Sequence, residues 1–75
     1  MNKDRRKRIE ILIKELHKHV GELEMLIDEE QEAYDNLPEG LQYSLRGESM
    51  EEAIDTMSEA LDSLNDTINS LEEVT

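Results

Sequence analysis

Apolar residues recur along this chain at alternating spacings of four and three, and that pattern fixes what the chain can fold into. One stretch runs Ile9, Ile13, Leu16, Val20, Leu23, Ile27, Glu30, Tyr34 and Leu37, with Glu30 its one polar member. A second runs Met50, Ile54, Met57, Leu61, Leu64, Ile68 and Leu71 with none. A repeat of ~3.5 residues is a helical seam, whereas a half-buried strand alternates by two. With Ile13 and Ile54 at heptad position a, these residues fill a and d. Position g widens the stripe: Leu12, His19, Leu26 and Ala33 in the first stretch, Ala53, Ala60, Thr67 and Val74 in the second. A face three positions wide in seven suits a helical bundle better than a two-stranded seam.

The ends of the helices carry signals of their own. Ser49 with Glu52 three residues on has the pattern of a capping box, which predicts that the last helix starts near Met50. Gly47 just before it suits a turn. Asn36, Pro38 and Glu39 predict a separate short helix. The expectation is one domain of 75 residues: a helix over about 2–34, a connector over about 35–49 with a short helix over about 38–45, and a helix over about 50–74. The connector is long enough to reverse direction, so the fold class is all-α, an antiparallel helical hairpin. Gly21 lies inside the first helix, on its solvent side, and marks a weak point or a close contact.

A lone pair of helices buries so broad a stripe only partly. Self-association is therefore expected, most simply a dimer of hairpins forming a four-helix bundle. Leu12, Leu26, Ala53, Ala60, Leu61 and Leu64 are the residues placed for it.

Charge is distributed unevenly. Residues 1–20 hold seven of the eight basic residues and three acids, a net of +4, whereas residues 21–75 hold Arg46 against seventeen acids, a net of −16. Cations at a helix N-terminus and anions at a helix C-terminus both oppose the macrodipole. In an antiparallel hairpin, Lys3, Arg5, Arg6, Lys7 and Arg8 meet Asp62, Asp66, Glu72 and Glu73, and each group compensates the other. The first helix is the longer, by roughly 12 Å at 1.5 Å per residue, so its first residues overhang. The total of −12 argues against direct nucleic-acid binding, which needs cations for the phosphates.

Several chemistries lack their residues. There is no cysteine, so neither a disulfide framework nor a thiol nucleophile exists. There is no glycine-rich phosphate loop. His17 and His19, two apart, point to different helix faces and do not make a metal site. Met50 and Met57 read as adaptable core filler. No cofactor is expected. The basic cluster followed by residues 9–13 imitates a targeting segment, but Glu10 interrupts the apolar run and Lys14 and Glu15 follow at once. No run spans a membrane. A cytoplasmic location in a bacterial host is the expectation.

The stretch EEQEAYDNLPEGLQYSLRGESMEEAID, residues 29–55, resembles a recurring segment in small acidic helical proteins of phages, prophages and mobile elements, mainly of Firmicutes. The likeness is carried by Tyr34-Asp35-Asn36-x-Pro38-Glu39-x-Leu41-Gln42 and by Ser44-x-Arg46-Gly47-Glu48. It continues into the last helix and is weaker over the basic first half. The resemblance implies a genomic setting and brings no catalytic residues. Glu52 with Asp55, and Glu59 with Asp62, also resemble the carboxylate pairs of all-α nucleotide pyrophosphohydrolases of the MazG type. Those enzymes need a third upstream acid, and here Ala33 stands after Glu29 and Glu30 in its place.

Taken together, these features predict a non-enzymatic interaction protein. Its most concrete form is an acidic inhibitor or modulator of a host nucleic-acid-handling or defence protein with a basic surface. Gln42, Tyr43, Arg46, Glu48, Glu51, Glu52, Asp55 and Glu59 are the candidate contact residues. The alternatives are a structural or assembly factor that pairs through its helices and, more remotely, a magnesium-dependent nucleotide hydrolase.

Overall fold

A computed structural model describes all 75 residues. Helix α1 covers Lys3–Asp35, α2 covers Glu39–Gln42 and α3 covers Leu45–Glu72. The two long helices pack against each other, and α2 docks on α3 at the bend. The result is an all-α hairpin drawn out into a rod 58 Å long.

Each boundary has a local cause. Asn2 caps α1, its side-chain oxygen accepting from the Arg5 N–H at 2.8 Å. That bond satisfies one of the four free N–H groups at a helix start. Asp4 is the one acid in the first turn and lies 4.0 Å from Arg8. At the other end, Asn36 closes the helix, and Pro38 disfavours helical backbone at Leu37.

The last helix begins five residues earlier than the Ser49 capping signal predicts. Ser44 is the cap, accepting from the Gly47 N–H at 3.4 Å while its own hydroxyl donates to the Leu41 carbonyl at 2.5 Å. Ser49 lies inside α3, on an exposed face. Gly47 does not supply a turn, since no glycine has positive φ. Its use is close approach: a Cβ there would stand 2.1 Å from the Gln42 carbonyl oxygen. The missing side chain lets α2 settle on the first turn of α3, and this tertiary contact lengthens the helix toward its N-terminus. Accordingly α2 is four residues long, shorter than the predicted turn over 38–45, and Pro38 sits at its cap position.

The core is small. Ile13, Val20 and Ile68 are its buried side chains, and Ile68 is almost fully enclosed. Ile9, Leu16, Leu61, Leu64 and Leu71 pack around them half-buried. Toward the bend the seam residues Leu23, Ile27, Ile54 and Met57 are only half-buried.

Two contacts give the register. Tyr34 donates to Glu51 near the bend, and His17 Nε2 lies 3.9 Å from Glu72 Oε1 near the far end. The second contact corrects the expected charge compensation. With Glu72 level with His17, α1 runs on for about 14 residues, or ~21 Å, past the last turn of α3. No Lys or Arg forms an ion pair with α3: Arg8 lies against Asp4 on its own helix, and the other close contacts to carboxylates are the imidazoles of His17 with Glu72 and His19 with Glu22. Residues 1–8 are all exposed and form a basic arm projecting from the end of the rod. The overhang exceeds the length difference between the helices because α3 starts early, at the bend, and stops at Glu72.

Candidate functional site

The bend is built rather than loose. Asn36 and Leu37 donate back to the last turn of α1, Leu41 donates to Pro38 at 2.8 Å, and Ser44 donates to Leu41 at 3.1 Å. Gln42 Nε2 bridges to the Tyr34 carbonyl at 3.2 Å, tying α2 to the end of α1. The phenol of Tyr34 reaches Glu51 on α3. Together these bonds hold the chain reversal in one conformation.

What this frame presents is unusual for an exposed tip. Leu45 is 86% exposed, Tyr43 80% and Leu41 47%. A leucine left this open is not part of the hairpin's own core, and three apolar side chains within five residues make a patch instead of scattered surface. Arg46 beside them is exposed and makes no ion pair, so it does not bind the carboxylates of the tip. Tyrosine and arginine are the side chains that most often anchor protein contacts.

A row of carboxylates runs on from the tip. Glu48, Glu52, Asp55, Glu59, Asp62 and Asp66 alternate at spacings of four and three along α3, on the side away from the seam. All are exposed and none has a cationic partner. At 1.5 Å per residue the row carries one charge every ~5 Å. One flank of the hairpin groove is polar as well: Gln31, Tyr34, Glu51 and Ile54 line a shallow cleft there, with Asp55 bordering both the cleft and the row.

The eight candidate contact residues therefore divide by role. Tyr43, Arg46, Glu48, Glu52, Asp55 and Glu59 are free on the surface. Gln42 is half-buried and Glu51 is taken by Tyr34, so both serve the bend's architecture. Leu41 and Leu45 belong to the patch and were not singled out in the sequence. Their signal was available, since neither falls on a seam, but a connector leucine is easily assigned to a turn.

The residues placed for self-association divide too. Leu12 and Leu26 are 48% and 54% exposed and Ala60 is open, whereas Leu61 and Leu64 are half-buried in the hairpin's own seam. The hydrolase-type acids do not converge. Glu30 faces the seam half-buried, while Glu52 and Asp55 face outward from α3. No three His, Asp or Glu side chains come together as metal ligands, and no helix is long and apolar enough to cross a membrane.

Comparison with known proteins gives no relative: no family model, no curated protein and no solved structure matches the chain.

Proposed function

We propose that this chain is a non-enzymatic interaction protein, associated with phages or mobile elements, that acts in the bacterial cytoplasm on a host protein with a basic surface. The observation that carries the reading is the unpaired carboxylate row on α3, which starts at the exposed patch of Leu41, Tyr43 and Leu45. The row supplies long-range attraction and steering. The patch and Arg46 supply desolvated short-range contact. One duplex strand carries a phosphate every ~3.4 Å along its axis. A charge every ~5 Å is a sparser row of the same sign, suited to a groove that normally holds nucleic acid. Inhibition or modulation of a nucleic-acid-handling or defence protein is the form this reading takes.

The test is capture from lysate of a bacterial host, using the full chain as bait at low and high salt. The captured protein is then measured against a variant carrying Glu52→Gln, Asp55→Asn and Glu59→Gln. Binding should fall steeply with salt and should be lost in the variant. Binding that ignores both, yet disappears with Leu12→Ser and Leu26→Ser, would instead favour an assembly factor that pairs through its helices. The half-exposed Leu12 and Leu26 are the observation that keeps this second reading in play. Magnesium-dependent turnover of a nucleoside triphosphate that needs Glu52 would overturn the non-enzymatic assignment.

A further inference from the structure

The two sides of the hairpin groove differ in character. His17 and Glu72 both occupy heptad position e, and their contact shows that e flanks meet on one side. The g flanks therefore share the other side. There α1 carries Leu12 and Leu26, and α3 carries Ala53, Ala60 and Thr67, with Val74 just past its end. At the arm end of this side, Met1, Arg5, Arg8, Ile9 and Leu12 line an open depression of about 480 Å³. At the bend end, Ser49, Glu52, Ala53, Thr56 and Met57 line another. One depression is apolar with a cationic rim. The other has a small apolar floor and an acidic rim, with Glu29 of α1 exposed on the same side.

From this we infer that the g side is covered by a second copy of the chain running in the opposite direction, so that the basic arm of each copy lies in the groove at the acidic bend end of the other. Three features select this occupant and orientation. Charge is the first: parallel copies would set arm against arm and bend against bend, whereas opposed copies place Arg5 and Arg8 near the partner copy's Glu29 and Glu52 at both ends. Shape is the second. The arm has outrun its own α3, so nothing from its own chain prevents it from settling between the two helices of the other copy. The small residues Ala53 and Ala60 allow that close approach. Length is the third: the rod extends 58 Å, and opposed copies lying side by side bring arm and bend together at both ends. Full-length overlap of opposed rods also brings Leu12 level with the partner copy's Met57 and Leu26. Apart from Glu52, which lines the covered depression, the carboxylate row on the outer side of α3 stays uncovered, so the dimer displays it twice.

Sedimentation of the purified full chain should show a dimer whose affinity weakens with salt. A first variant, Arg5→Glu with Arg8→Glu, makes both ends acidic. A second, Glu29→Lys with Glu52→Lys, makes both ends basic. Each alone should lose at least about tenfold in dimer affinity with helical content unchanged, and an equimolar mixture of the two should recover it, since every arm then meets an opposite bend. Because the chain has no cysteine, Leu12→Cys and Ala53→Cys report orientation directly. With a short bismaleimide, the two variants mixed should cross-link to each other, and Leu12→Cys should not cross-link to itself. A monomer at high concentration, failure of the mixture to recover affinity, or efficient self-linking of Leu12→Cys would each overturn the proposal.

Discussion

The phenol of Tyr34 on α1 donates its hydrogen bond to the carboxylate of Glu51 on α3, tying the two rods together where they leave the bend. The bond favours the protonated phenol, and the adjoining negative charge opposes a second anion, so the Tyr34 pKa is pushed up to about 12. A group whose folded pKa lies above its unfolded value of about 10 contributes stability that is fully present below pH ~10 and is lost as pH rises from there through ~12. Tyrosinate absorbance should show one step near pH 12, and Tyr34→Phe should remove that step and flatten the alkaline loss of stability. A Tyr34 that titrates at its ordinary value would mean the bond to Glu51 does not form in solution.

The two glycines in the long helices should respond to alanine in opposite directions. Nothing lies within 4 Å of a Cβ built at Gly21, so the residue carries a helix penalty with no contact in return. Gly21→Ala should stabilise by up to about 1 kcal/mol. Gly47→Ala drives a methyl group into the backbone of Gln42 and should destabilise by more than that, freeing α2. Thermal melts of both variants, with exchange protection of the Leu41 and Ser44 amides in the second, check the pair.

These glycines also show what was legible in the sequence. The hairpin, its seams and the g flanks follow from periodicity, because burial in a two-helix rod depends on little else. The start of α3 did not follow from it. Ser49, with Glu52 three residues on, carries the fuller local signal, but the helix starts at Ser44 because of the fit of Gln42 against Gly47, a contact five residues apart that no period encodes. The expected pairing of the basic arm with Asp62, Asp66, Glu72 and Glu73 failed for a related reason. It depended on helix ends being level, and the early start of α3 shifts them apart. Of the site, Tyr43, Arg46 and the acids of α3 were legible by exclusion from the seam. Leu41 and Leu45 lie off both seams too, but a short connector gives apolar residues no period by which to be judged, so that signal was passed over.

Ile68 is 1% exposed and sits at the centre of a three-residue core. Ile68→Ala should cost about 2–5 kcal/mol, a large share of what so small a core can supply. Ile11 and Met25, at 54% and 63% exposure on the outer face of α1, should tolerate alanine within about 0.5 kcal/mol. Chemical denaturation of the three variants makes the comparison. A cost at Met25 equal to that at Ile68 would mean that the buried seam lies elsewhere on α1.

A net charge of −12 on a narrow rod opposes its own folding. Raising ionic strength from ~10 mM to ~500 mM shortens the Debye length from about 30 Å to a few ångströms, so the melting temperature should rise with salt. Glu52→Gln with Asp55→Asn and Glu59→Gln should reproduce part of that gain at low salt. At protein concentrations low enough to keep the chain monomeric, a melting temperature that falls with salt would place net attraction, not repulsion, along the carboxylate row.

Tyr43→Ser and Leu45→Ser should leave the thermal melt of the hairpin within about 0.5 kcal/mol of the parent, because neither side chain is enclosed. The same pair should weaken capture of the host protein by at least about tenfold. If capture were unaffected, the exposed patch at the bend would have no part in recognition.

The N-terminus stands at one pole of the rod and the chain reversal at the other, 58 Å away, while α3 ends level with His17, about 21 Å short of the N-terminal pole. A fluorophore or affinity handle at the N-terminus is thus carried a full rod's length from the bend, and one at the C-terminus about 21 Å nearer to it, like two lamps hung at different heights on one pole. Labels at the two chain ends would therefore lie at two different distances from a protein captured at the bend of the same copy.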